Sequence, residues 1–167
     1  MSKAKPPNLE QLLQALAATE ASDSRTLDGT RAAAAQALSA LGDSAAVPGL
    51  IRALSHPNQV CVAAALALGH MKARDAVAPL SAVLEDSTKF WMPRGAAAVA
   101  LGQMGALAEA ALPALRRTLE LDSMASGTSW DARAHEAVAD AIKHITDPSA
   151  ACMLQGDAQR YAMWGFR

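Results

Sequence analysis

Aromatic side chains are scarce in this chain: two phenylalanines, one tyrosine and three tryptophans stand among 167 residues. Its core must therefore pack through smaller side chains. Cysteine is rarer still. Cys61 and Cys152 each lie inside an apolar helical pattern, which reads as two buried thiols in a reducing compartment rather than a disulfide. Charge of one sign is missing too. The formal net charge is −1, with acids and bases mixed along the chain, so no broad field exists to recruit nucleic acid or anionic lipid. Long apolar runs are also lacking: the longest, around "VCVAAALALG", falls far short of the roughly 20 residues a bilayer requires. The opening "MSKAKPPNLE" is polar and broken by proline, unlike the apolar stretch of a signal peptide. No Gly-x-Ser-x-Gly elbow, phosphate-cradling glycine loop or paired-cysteine metal motif occurs. Together these absences predict a soluble, cytoplasmic chain with no membrane or nucleic-acid partner, no cofactor and no evident catalytic apparatus.

What the chain does have is alanine, the strongest helix former and small enough to let helices approach closely. Its apolar residues recur with a period. "RAAAAQALSALGD" from Arg31, "CVAAALALGHMKA" from Cys61, "RGAAAVALGQMGA" from Arg94 and "HEAVADAIKHITD" from His135 align. Leu38, Leu68, Leu101 and Ile142 hold one place, and Leu41, Met71, Met104 and Ile145 hold another three residues on. A second motif follows: "AAVPGLIRAL", "DAVAPLSAVL" and "AALPALRRTL". There Val47, Leu50 and Leu54 match Val77, Leu80 and Leu84, then Leu112, Leu115 and Leu119, a spacing that marks one helical face. "PNLEQLLQAL" places Leu9 and Leu13 in the second pattern with no first helix before it.

The predicted fold is all-α: an α-solenoid of helical hairpins, each a helix A, a tight turn and a helix B. About four repeats and an N-terminal half-repeat make one domain over 1–167. The limits are 6–20 for the half-repeat or cap helix, 30–55, 58–86 and 91–121 for three repeats, 130–160 for a degenerate fourth, and 161–167 for an aromatic tail. Gly42, Gly69, Gly102 and Gly105 mark the ends of A helices, where a positive φ commonly closes a helix. Asp43 and Asp75 are candidate N-caps or first-turn acids of the B helices. Neither helix can bury its apolar face alone, so stability must come from stacking on neighbours.

The stretches "RAAAAQAL…LGD…AVPGLIRAL" and "PRGAAAVALGQMG…LPALRRTL" resemble the HEAT-like repeat family, in the short bacterial form also found in phycobilisome lyases. "WMPRGAAAVALG" looks like that form's usual opening. The resemblance covers roughly 6–154. It implies a non-catalytic scaffold that binds a protein or peptide partner on a concave surface lined by B helices. The alternative it implies is a phycobilisome-lyase-like protein that binds a bilin or assists its attachment, working with a second HEAT-like subunit.

Each candidate site carries two readings. His135 and Glu136 resemble the His-Glu pairs with which iron-dependent deoxyhypusine hydroxylases, also HEAT-like, hold two metals. The equivalent positions here hold Arg31-Ala32, Cys61-Val62 and Arg94-Gly95, and a two-metal site needs several converging ligands. His70 and His144 stand two repeats apart, too far to share an ion across layers spaced by roughly 8–10 Å. The pair therefore reads as solvated first-turn residues, no metal ligand is assigned, and a metal-dependent hydroxylase is a remote alternative. Arg31, Arg94 and Arg133 form either an anion-holding row or a ladder pairing with acids such as Asp43 and Asp75. Phe90 and Trp91 in one long loop and Trp130 in the next either staple onto helices or form an exposed partner anchor. Tyr161, Trp164 and Phe166 in the tail either cap the solenoid or dock on a second copy to give a homodimer. Gln11, Arg52, Glu85, Arg116, Arg117 and Glu120 are the non-core positions of the B helices, and their mixed charge suits a protein or peptide. The partner-binding candidates are thus Arg52, Glu85, Phe90, Trp91, Arg116, Arg117, Glu120 and Trp130.

Overall fold

The computed structural model describes residues 8–18, 24–56, 58–124 and 131–147, and among them there is no β-strand. Among the described residues four A helices alternate with four B helices. The A helices are α2 (Ser24–Leu41), α4 (Asn58–His70), α6 (Trp91–Met104) and α8 (Asp131–Thr146). The B helices are α1 (Leu9–Ala17), α3 (Val47–Ala53), α5 (Val77–Glu85) and α7 (Leu112–Met124). This is the all-α solenoid of helical hairpins expected from the repeat. Helix α2 begins at Ser24, ahead of the repeat limit placed at 30. The expected fourth B helix, Cys152 and the aromatic tail with Tyr161, Trp164 and Phe166 lie outside the described residues.

Local chemistry explains where the helices start and stop. Helix α1 opens on a reciprocal cap: Asn8 Oδ1 accepts the Gln11 N–H at 2.8 Å, and Gln11 Oε1 accepts the Asn8 N–H at 3.1 Å. Each later A-to-B link is a short 3-10 turn, over Ser44–Ala46, Arg74–Ala76 and Gly105–Ala111. Asp43 caps the first of these, its Oδ1 accepting the Ala45 N–H at 2.9 Å, and Asp75 is an acid within the second. Pro48, Pro79 and Pro113 fall in the first turns of α3, α5 and α7, where a missing N–H costs nothing.

Packing follows the predicted period, though Val47, Met71, Leu112, Leu119 and Ile142 are only partly buried, and three features depart from it. Leu38, Leu50, Leu68, Leu80, Leu84, Leu101 and Leu115 are fully buried. In α1, however, the buried pair is Leu12 and Leu16, while Leu9 and Leu13 are half-buried. The helix thus takes the Leu50–Leu54 register, one residue from the Leu13 alignment. Leu41 is also not core: it is 50% exposed, because among the described residues no A helix precedes α2 to cover it. The third departure concerns glycine. Gly42 (φ 68°) and Gly105 (φ 58°) close A helices as expected, but in the second repeat Lys72 takes that role at φ 49°. Gly69 and Gly102 lie within α4 and α6 and serve helix contact instead. A Cβ on Gly69 would stand 2.7 Å from Ala100 Cα, and one on Gly102 would stand 3.0 Å from Ala141 Cα.

In the A layer α2 packs on α4, α4 on α6 and α6 on α8, so α4 and α6 are buried on nearly every side. Alanine makes that possible. In the B layer α1 packs on α3 and α5 on α7, whereas α3 and α5 meet only marginally. The stretch Trp91–Glu120 is long and apolar enough, by length and composition, to cross a membrane, although its apolar residues are not contiguous. It is folded rather than straight: the backbone turns at Gly105 and kinks at Ala108, and α6 lies between α4 and α8.

Candidate functional site

The repeated arginines make the joints between repeats. Arg31 Nε donates to the Ala18 carbonyl at 3.1 Å, its Nη2 reaches the same oxygen, and its Nη1 lies 3.4 Å from Asp28 Oδ1. Ala18 is the C-cap of α1. Arg94 Nε donates to the Leu84 carbonyl, in the last turn of α5, at 2.9 Å. Each guanidinium therefore satisfies a carbonyl at the negative end of the preceding B helix. The expected ladder to Asp43 and Asp75 is thus corrected: the main acceptor is backbone, and Arg31 takes its acid from its own helix. Cys61 holds the equivalent place in α4 and is fully buried. At that joint Ser55 Oγ donates to the Arg52 carbonyl at 2.8 Å instead. The Arg133 side chain lies outside the described residues.

His135 and Glu136 sit one turn into α8 rather than in its first turn; His135 is half-buried and Glu136 exposed. Among the described residues, no three His, Cys, Asp or Glu side chains converge as a metal would require. His70 is exposed, with Nδ1 3.5 Å from Ser39 Oγ, whereas its counterpart His144 is buried. His144 Nδ1 and Gln103 Oε1 are buried without a hydrogen-bond partner among the described residues.

The structure brings part of the predicted B-helix set together. Arg52, Glu85, Arg116, Arg117 and Glu120 are all exposed. Arg117 and Glu85 form an ion pair of 2.8 Å that joins α7 to α5. Phe90 stands at the N-cap position of α6, 68% exposed and giving no side-chain cap, and Trp91 is the first helical residue, half-buried. Neither therefore precedes the cap as a staple would. Trp130 lies outside the described residues. The sequence reading missed a cavity of about 560 Å³ between α1 and α3, lined in part by Leu13 and Ile51. Its signal was present: where α3 has Ile51, the equivalent places in α5 and α7 have Ser81 and Arg116.

Comparison with family models gives two matches. Residues 57–128 match HEAT repeats, and residues 30–56 match the PBS lyase HEAT-like repeat. The matched stretches abut and together run from 30 to 128. No curated protein matches the chain.

Proposed function

The chain belongs to the HEAT-repeat family, and from that premise we propose that it is a non-catalytic scaffold holding a protein or peptide partner on the exposed surface of its B helices. The observation that carries this reading is the register of the exposed charges. Arg52 and Arg117 occupy equivalent places, as do Glu85 and Glu120, and the Glu85–Arg117 pair makes α5 and α7 one continuous charged surface. An exposed pair of this kind is worth roughly 0–1 kcal/mol. It contributes little to folding and can be exchanged for a partner's groups, and arginine is favoured at interface hot spots. The test is affinity capture from source-cell lysate with the wild type and with a variant carrying Arg52→Glu, Arg116→Glu and Arg117→Glu. Partners held by the wild type should be lost by the variant while its thermal melt stays within a few degrees. Partners that all survive the reversal would remove the B-helix surface as the site.

A second reading is favoured by the match of 30–56 to the PBS lyase HEAT-like repeat. In it the chain binds a bilin or assists its attachment, together with a second HEAT-like subunit. Mixing with a bilin should then shift the visible absorption spectrum. An unchanged spectrum, with and without a HEAT-like partner, would end that reading.

A further inference from the structure

The cavity between α1 and α3 shares Arg31, Arg52 and Ser55 with the assignments above but has itself no role in them, and its volume falls within the usual range for a bound group. Its walls are aliphatic: Leu13 and Leu16 from α1, Ile51 and Ala53 from α3. Gly49 leaves room for the Leu13 side chain, since a Cβ there would stand 2.8 Å from Leu13 Cδ2. The polar lining is of one kind. Arg31, Arg52, Ser55 and His56 all carry N–H or O–H groups, and among the described residues no carboxylate lines the cavity. Two of the four are committed to partners and a third is uncharged. Arg31 is committed to the Ala18 carbonyl and Asp28, and the Ser55 hydroxyl to the Arg52 carbonyl. Burial, then the Arg31 charge, holds the His56 pKa below its usual value against an opposing pull from Asp28, so the ring is neutral at pH 7. Arg52 remains: exposed, and making no ion pair among the described residues. Apolar walls with one available guanidinium at the rim complement an apolar side chain that has a carboxylate beside it.

We propose that this cavity anchors the peptide partner, taking an apolar side chain between α1 and α3 and setting the acidic residue that follows it against Arg52. The proposal rests on the scaffold reading and names the chemistry of its partner. The apolar anchor is confined to this end of the B layer, because the places equivalent to Ile51 in α5 and α7 are polar.

The test uses an array of hexapeptides, Ala-Ala-X-Z-Ala-Ala, in which X is Leu, Phe or Ser and Z is Asp, Asn or Lys. Leu-Asp and Phe-Asp members should retain the protein about tenfold better than Leu-Lys or Ser-Asp members, a factor equal to 1.4 kcal/mol. Ala17 is exposed and lines the cavity, so Ala17→Trp fills it without entering the core and should abolish retention. Arg52→Glu should turn the preference from Asp to Lys. In the wild type, adding a Leu-Asp peptide should move the His56 ring signals in NMR spectra, since His56 lines the cavity, and a Ser-Asn peptide should leave them in place. No retention above the Ser-Asn background would overturn the proposal, as would retention that ignores Ala17→Trp. Retention lost by Arg116→Glu and Arg117→Glu but unaffected by Ala17→Trp would overturn the cavity assignment while leaving the scaffold reading in place.

Discussion

Cys61 occupies the place that arginine holds in the repeats on either side, and its surroundings push its thiol from an ordinary 9.0 up to about 11. Burial is the main cause; Lys89 opposes it and Asp86 adds to it. Because the folded value is raised, the stability tied to this proton is present in full below pH 9 and is lost as the pH climbs towards 11. The unfolded chain ionises there first, and at about 1.4 kcal/mol per unit the loss is on the order of 2–3 kcal/mol. Urea unfolding at pH 8 and pH 10.5 should therefore show a larger loss in a Cys152→Ala chain than in one also carrying Cys61→Ala. Equal losses would mean that the thiol is not shielded. At this scale the sequence was informative about recurrence and silent about contact. Arg31 and Arg94 were visible as a repeated place, but each donates to a backbone carbonyl, which every residue carries and no letter marks. His135 shows the same limit: its place in the repeat was visible, but that it is half-buried one turn into α8 was not.

Helices of this chain meet through small residues, and the glycines separate space from backbone conformation. Gly69→Ala adds a methyl group at 2.7 Å from Ala100 Cα and 2.9 Å from Ala100 Cβ, so α4 and α6 must move apart. Overpacking of this sort costs about 1–3 kcal/mol, which outweighs the helix-propensity gain of about 1 kcal/mol. At Gly102 the nearest backbone atom, Ala141 Cα, is 3.0 Å away, and the loss should be smaller. Gly29, inside α2, has nothing within 4 Å of its would-be Cβ, so Gly29→Ala should stabilise by about 0.5–1 kcal/mol. Thermal melts of the three variants check the order: Gly29→Ala above wild type, then Gly102→Ala, then Gly69→Ala. Helix type and hairpin order were legible because Leu38, Leu68 and Leu101 repeat with Leu50, Leu80 and Leu115. The α1 register was not, since four leucines in eight residues, from Leu9 to Leu16, fit two alignments until α2 and α3 choose between them.

In the whole molecule, each helix depends on its neighbours in the stack. Deleting residues 1–22 removes α1 and the buried Leu12 and Leu16. At about 1.5–3 kcal/mol per buried leucine the loss is roughly 3–6 kcal/mol, and Arg31 loses its acceptor as well. Hydrogen exchange of the shortened chain should quicken in α2 and α3 while α6 and α8 keep their protection, as expected for nearest-neighbour stability. Uniform quickening would show that the array opens as one unit. The B layer has a further consequence. The joint between α1 and α2 is strapped by Arg31, and the one between α5 and α6 by Arg94. The joint between α3 and α4 has Cys61 in that place, and beside it α3 barely meets α5. Bracing is thus distributed unevenly along the array, with an arginine strap at two joints and none at the joint between them. Under load the α3–α4 joint should therefore yield first, with the α1–α3 cavity on one side of it and the Glu85–Arg117 surface on the other.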